Sequence, residues 1–411
     1  MTPPALRAVL LVLCLFPFAA ATGPTGPSPE APREHLVTFA HAADTSLPAR
    51  HGLRVLEVHP LAGTMLVEGP PAAAAALARE PQVLSVEPNG RVRAASAGTA
   101  GAGWNGAGWN GAGWNGAGWN GAGWNGAGWN GAGWNSDEWD GPVPPWGLAA
   151  VRAPEAWARG VPEARRLVCI VDSGMDGEHP ALVARLGAER RGIDLTGGNA
   201  PFTDAHGHGT HMAGIVAAAP HETGIRGVGA PTLAVAKALG PDGTGATSAV
   251  IAGIDWCVAQ GANVVLLALS EDDPTKALRR SVQRALASGV ILVAAAGNDG
   301  PCARCVTAPA SYPGVVAVGS FGPGLAVSSF SAEGPEVRLL APGERIASAF
   351  PGGLARAGSG TSQSAAFAAG AAALLWSHDP SMPSARVVQA LYGGADDRRL
   401  DVNASAGRLL R

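Results

Sequence analysis

Four residues have types and positions that together could break an acyl bond. Asp172 ends the apolar run LVCIV and Asn298 follows ILVAAAG, while His208 and Ser362 each stand at the start of a helical run. A serine hydroxyl is a weak nucleophile until a base takes its proton. Histidine titrates near neutrality, and a carboxylate can fix its tautomer. The oxyanion formed on attack needs donors, and the Ser362 backbone N–H at a helix start and the Asn298 amide could supply them. Taken singly, each residue has a plainer reading. An Asp before Ser-Gly or an Asn before Asp-Gly marks a turn, and Gly-Thr-Ser before a helix is an ordinary cap. HGHGTH, with His206, His208 and His211 near Asp204, also has a spacing that suits metal ligation. The chain order acid, histidine, serine favours acyl transfer.

Such residues need a frame. From about Trp139 the runs RRLVCIVD, LAVAKAL, NVVLLAL, VILVAAAG and GVVAVGS read as buried strands. They alternate with the helical runs MAGIVAAA, SAVIAGIDWCVAQG and ALRRSVQRALASG. This pattern predicts an α/β domain, a parallel sheet with helices on both faces, over 139–411. In such sheets chemistry gathers at the carboxyl ends of the strands, where Asp172 and Asn298 fall.

Upstream, residues 35–92 read as a small α+β domain. HLVTFA, RVLEVHP, TMLVEG and QVLSVEP are its strands and AAAALARE its helix. A unit this small is expected to lean on a partner surface. Residues 1–21 read as a signal peptide, with Arg7, an apolar core and the small-residue site Ala19-Ala20-Ala21. That reading predicts a secreted, extracellular protein. Residues 22–34 form a Pro-rich linker. No later run is long and apolar enough to span a bilayer.

Between the two domains GAGWN repeats seven times, over 101–135. A five-residue period builds neither a helical stripe nor a strand face, so the plain expectation is a linker. A row of aromatic platforms for sugar or interface contact is the alternative. A formal net charge of −3 and no basic run argue against a nucleic-acid partner. Of five cysteines, Cys14 leaves with the signal. Cys302 and Cys305 are close enough for a local disulfide, with free thiols or half a metal or redox site as alternatives. Cys169 and Cys257 are expected as buried core thiols.

VCIVDSGMDGEHPAL, HGHGTHMAGIVAA, VAAAGNDG and GSGTSQSAAFAAGAAALL resemble the signature blocks of the subtilisin-like serine proteases. PWGLAAVRAPEAW resembles that family's mature N-terminus, and residues 35–92 its inhibitory propeptide. The resemblance implies a secreted serine endopeptidase made as a zymogen, with extended peptides as substrates and its own propeptide as inhibitor. It implies a monomer and no cofactor for the chemistry. Calcium is often bound in the family, but no unambiguous ligand loop is found here. Carried over by position, Asp172 orients His208, His208 is the base, Ser362 the nucleophile and Asn298 the oxyanion donor. Gly243-Thr244-Gly245 and Ala268-Leu269-Ser270 resemble the two segments that flank a substrate strand. Ala295-Ala296-Gly297 would line the first specificity pocket.

The chain departs from the family at Ser270, where glycine is usual, and at Gln363, Ala366 and Phe367. Glu271-Asp272-Asp273 adds negative charge near the pocket. A competing class is an exported binding protein on a protease scaffold, which cuts only itself and keeps its propeptide bound. Self-cleavage is expected between about Val92 and Ala100, with a cut near Ser136 as the alternative.

Overall fold

A computed structural model describes residues 33–95, 146–160, 166–222, 224–302 and 304–409. The signal peptide, most of the Pro-rich linker, the GAGWN repeats and the start of the expected second domain lie outside the described residues.

The first unit runs β1 (Arg33–Phe39), α1 (Leu47–Arg50), β2 (Arg54–His59), β3 (Thr64–Gly69), α2 (Pro71–Leu77), β4 (Val83–Pro88) and β5 (Arg91–Ala94). Strands β2-β3-β1-β4 form an antiparallel sheet. Side chains alternate across a strand, so each face buries a different set. Val37, Phe39, Met65 and Val67 pack with Leu47, Leu53 and Leu77 in the unit's own core. Leu36 and Leu66 point the other way and, with Ala62, join the apolar cluster of the second unit.

The second unit opens with α3 (Trp146–Ala150) and α4 (Ala153–Ala158), then β6 (Leu167–Asp172), β7 (Gly192–Asp194), α5 (His208–Ala217) and β8 (Thr232–Lys237). It continues with β9 (Thr244–Ala246), α6 (Thr247–Ala259), β10 (Val264–Leu267), β11 (Leu269–Glu271), α7 (Lys276–Ala287) and β12 (Ile291–Ala295). It ends with β13 (Val316–Phe321), β14 (Val337–Pro342), the hairpin β15 (Ile346–Phe350) and β16 (Leu354–Gly358), α8 (Thr361–His378), α9 (Ser384–Gly394) and α10 (Val402–Leu409).

Its centre is a seven-stranded sheet, β14-β13-β12-β10-β6-β8-β7, with every neighbouring pair parallel. Both faces are buried. On β6, Val168 and Ile170 face the cluster that holds α5 and α8, while Leu167, Cys169 and Val171 face the cluster that holds α6 and α7. The continuous apolar runs of the sequence follow from this double burial. The chain fills one side of β6 with β7 and β8, then crosses to the other with β10, so the strand order reverses at β6. That reversal leaves a crevice at the strand ends. Among the described residues no helix is long and apolar enough to cross a membrane.

One sequence expectation fails. Cys169 and Cys257 form a disulfide across 88 residues, tying β6 to α6. Both are fully buried, as core thiols would be. Burial alone could not reveal that strand and helix bring their sulfurs together. Cys302 and Cys305 also form a disulfide, in the loop after β12.

Candidate active site

Asp172 is the last residue of β6, and His208 is the first of α5. His208 Nδ1 lies 2.8 Å from each carboxylate oxygen of Asp172. The carboxylate is also held by the Ser173 backbone N–H at 2.7 Å. The next residue in α5 must be small. A Cβ at Gly209 would sit 2.0 Å from the Gly174 carbonyl oxygen, so only glycine lets α5 approach β6 this closely. Asp204 caps the same helix. Its Oδ1 accepts from the Ser173 hydroxyl and the Gly207 N–H, and its Oδ2 from the Thr210 N–H and hydroxyl.

The other two histidines play different parts. The His211 ring meets the Ile346 and Arg356 carbonyl oxygens, each at 3.0 Å. The His206 ring packs on Gly243, which has a φ of 73° and would carry a Cβ 2.6 Å from its Nε2. Burial, and then the nearby His208, pushes His206 down to about 4 and His211 to about 3. Both are therefore neutral at physiological pH. With Asp204 committed to the helix and His211 to carbonyls, HGHGTH reads as a helix entry. Among the described residues no group of three or more His, Cys, Asp or Glu side chains is arranged to hold a metal.

Ser362 is the second residue of α8, with its backbone N–H at the positive end of that helix. Asn298 lies just beyond β12. Its Oδ1 accepts from the Thr361 N–H at 2.8 Å and the Thr361 hydroxyl at 3.1 Å. A backbone N–H can only donate, so these bonds assign the amide: Oδ1 faces Thr361 and the Nδ2 donor faces away. Thr361 also accepts from Gly297 N–H at 3.1 Å. Sequence reasoning passed over Thr361, although it sits inside the Gly-Thr-Ser block.

The site is covered by the first unit. β5 lies between β11 and β9 as the middle strand of an antiparallel sheet. Ala94 N–H donates to the Gly243 carbonyl at 2.9 Å, and Ala95 N–H to the Ala268 carbonyl at 3.0 Å. The Ser362 hydroxyl lies within hydrogen-bond reach of two carbonyl acceptors, Ala95 and, at 3.1 Å, Ala268. Asp172, His208 and Ser362 are all buried.

The departures from the family pattern have distinct surroundings. The Phe367 ring fills the space over Gly147, where a Cβ would lie 2.5 Å from it. Gln363 is fully buried, and its amide makes no hydrogen bond among the described residues. Glu271 does not add charge to the pocket. It turns inward to Thr247, the Thr275 N–H and hydroxyl, and the Tyr312 hydroxyl, and burial raises its carboxyl above the usual range. The charge near β5 comes instead from Asp272, 3.3 Å from the Arg93 guanidinium, and Asp299, at 3.9 Å.

The sequence profile of the subtilase family, peptidase family S8, matches residues 164–407. The chain belongs to the subtilase family. It is 36% identical over 247 residues to subtilisin of Bacillus pumilus, covering 59% of this chain and 88% of that protein. It is 36% identical over 246 residues to subtilisin E of Bacillus subtilis strain 168, covering 59% of this chain and 64% of that one. Subtilisin Savinase of Lederbergia lenta matches at 36% over 245 residues. This subtilase is thus a serine endopeptidase, and its parallel sheet with a preceding antiparallel unit is the architecture that the family resemblance implied.

Proposed function

We propose that the chain is the secreted precursor of a monomeric endopeptidase that acts on extended peptides and is first held by its own residues 33–95. In this reading Ser362 attacks the substrate carbonyl while His208 takes its proton, and Asp172 holds the Nδ1–H tautomer and steadies the imidazolium. The Ser362 N–H and Asn298 Nδ2 receive the oxyanion. Collapse of the tetrahedral intermediate passes the proton from His208 to the leaving amine, and water repeats the sequence on the acyl-enzyme. No metal enters these steps.

The observation that carries the reading is the Ala95 carbonyl on the Ser362 hydroxyl, with β5 seated as a strand between the two edge segments. Peptide recognition by strand addition looks like this. The bond it presents is Ala95–Ser96, which supports a maturation cut there that would leave the repeats with the mature enzyme. The rest of the first unit is clamped to the second. The Glu87 carboxylate accepts from the Lys276 and Ala277 N–H groups at the start of α7, and the Arg280 guanidinium donates to the Ala62 carbonyl. Asn89 exchanges bonds with Ser248, and Asp255 accepts from the Leu61 N–H.

The same clamp favours a second reading, in which the protein cuts itself once and stays a binding protein with its propeptide bound. A serine-directed phosphonate tests both, together with N-terminal sequencing of the secreted protein. A free enzyme begins at Ser96 and is labelled at Ser362. A retained complex begins at Ser96 in its large fragment, keeps the small fragment and resists the label. A Ser362→Ala chain that is still cut at the same bond in a host without other proteases would remove Ser362 from the role.

A further inference from the structure

We propose that the hydrogen-bonded hydroxyls of Ser270 and Thr307 close the first specificity pocket, so that this subtilase accepts only an alanine-sized residue immediately before the cut. The inference rests on the reading of Ala95 as the acyl residue.

Strand register fixes which side chains meet. Arg93 stands opposite Ser270, and Ala95 bonds to Ala268, two residues along each strand. Paired residues in a sheet share a face, and the face repeats every second residue. The side chains of Arg93, Ala95, Ala268 and Ser270 are therefore on one side. The reach of Arg93 to Asp299 shows that this side looks toward the loop after β12. Ala95 is 4% exposed there.

On that side Ser270 Oγ lies 2.9 Å from Thr307 Oγ1. Thr307 is itself pinned, with its N–H donating to the Ala296 carbonyl at 3.0 Å. It also fills the space above Gly297, where an added Cβ would lie 3.0 Å from Thr307 Oγ1 and 3.1 Å from its Cγ2. The segment Ala268-Leu269-Ser270 and the segment Ala295-Ala296-Gly297 would otherwise be the two walls of a slot. The hydroxyl pair bridges them beside Ala95. A longer side chain at that position would have to break the bridge and leave the buried Ser270 hydroxyl without its partner, while the half-buried Thr307 hydroxyl also lies 3.4 Å from the Ala296 carbonyl. The natural junction agrees, with the small residues Ala94 and Ala95 before the bond. The proposed substrates are thus extended peptides that place alanine, glycine or serine before the cut.

The test has one arm without chemistry and one with it. In the full Ser362→Ala chain, backbone hydrogen exchange at residues 92–95 reads how β5 is seated. Ala95→Phe should lower protection there at least about tenfold, the low end of a pocket misfit. Adding Ser270→Gly and Thr307→Gly should restore it. Undiminished protection with phenylalanine overturns the proposal, and so does failure of the double glycine change to restore it while the sheet core stays protected. In the active chain, peptides with alanine before the cut should exceed phenylalanine analogues in kcat/KM by more than about tenfold. Thr307→Ser, which keeps the hydroxyl, should retain that ratio, and the double glycine variant should lose it. If no peptide is cut, the enzyme reading fails, while the exchange arm still decides the pocket.

Discussion

The seven-stranded sheet is covered on both faces by its own helices, whereas the four-stranded sheet of the first unit covers one face itself and lends the other to its neighbour. In β6 both sets of alternating side chains find partners inside the second unit. In β1, Val37 stays within the small unit while Leu36 is buried in the large one. The large unit can therefore stand without the small one, and the small one cannot bury its apolar surface alone. In the precursor proposed above, a unit built this way would stay folded while docked and unfold once cut and released.

The largest effect should come from the site that the small unit covers. Ser362→Ala or His208→Ala should each lower peptide cleavage by about 10⁴-fold or more, because the members act as a unit. The chain should stay uncut and the two units docked, as size analysis of the purified protein would show. His206→Ala should keep most activity. A loss equal to that of His208→Ala would give His206 a share in the base.

Replacing Cys169 and Cys257 with serine should cost the large unit about 4–5 kcal/mol by loop-closure entropy. Denaturant melts of the mature enzyme would measure this, and an unchanged midpoint would mean the bridge adds nothing to the sheet. Asn298→Ala should lower kcat by about 10²–10³ with little change in KM. Unchanged turnover would take Asn298 out of the oxyanion site.

The join between the units carries a smaller, pH-dependent effect. Burial, only partly offset by the Leu61 and Ala62 N–H groups and the Ser281 hydroxyl, pushes Asp255 at this join from 3.8 up to about 6. Docking therefore favours its protonated form. The contribution is full below about pH 4 and is lost as pH rises through 6. Raising the pH from 5 to 7 should speed release of the cut propeptide by about tenfold, and Asp255→Asn should flatten that dependence. A release rate equally steep in the variant would place the titration elsewhere. Smallest is the Arg93 contact. Asp272→Asn should weaken propeptide inhibition only a few-fold, and less at high salt, because the pair is exposed.

Much of this was legible in the sequence because it rests on local pattern. Apolar runs mark the core strands, and the expected positions of Asp172 and Asn298 at or just beyond strand ends and of His208 and Ser362 at helix starts match the structure. The short strands β9 and β11 are legible only through the family resemblance, since each makes sense only beside the central β5. β7 and β14 were passed over for a similar reason, lacking a long apolar run. Long-range pairings left no local mark. Cys169 and Cys257 looked like any buried thiols, and nothing around Glu87 shows that it caps a helix 189 residues away. Glu271 misled because its neighbours are exposed acids, while strand alternation turns its own side chain inward.

The bridge between β6 and α6 also ties the fold to a place. Cys169 lies three residues before Asp172 on the strand that carries the acid of the site. A cytosol that keeps thiols reduced withholds that link, whereas an oxidising compartment supplies it. A chain folded among reduced thiols thus lacks the clasp that steadies its central strand, so the redox state of its surroundings becomes part of what holds the acid of the site in place.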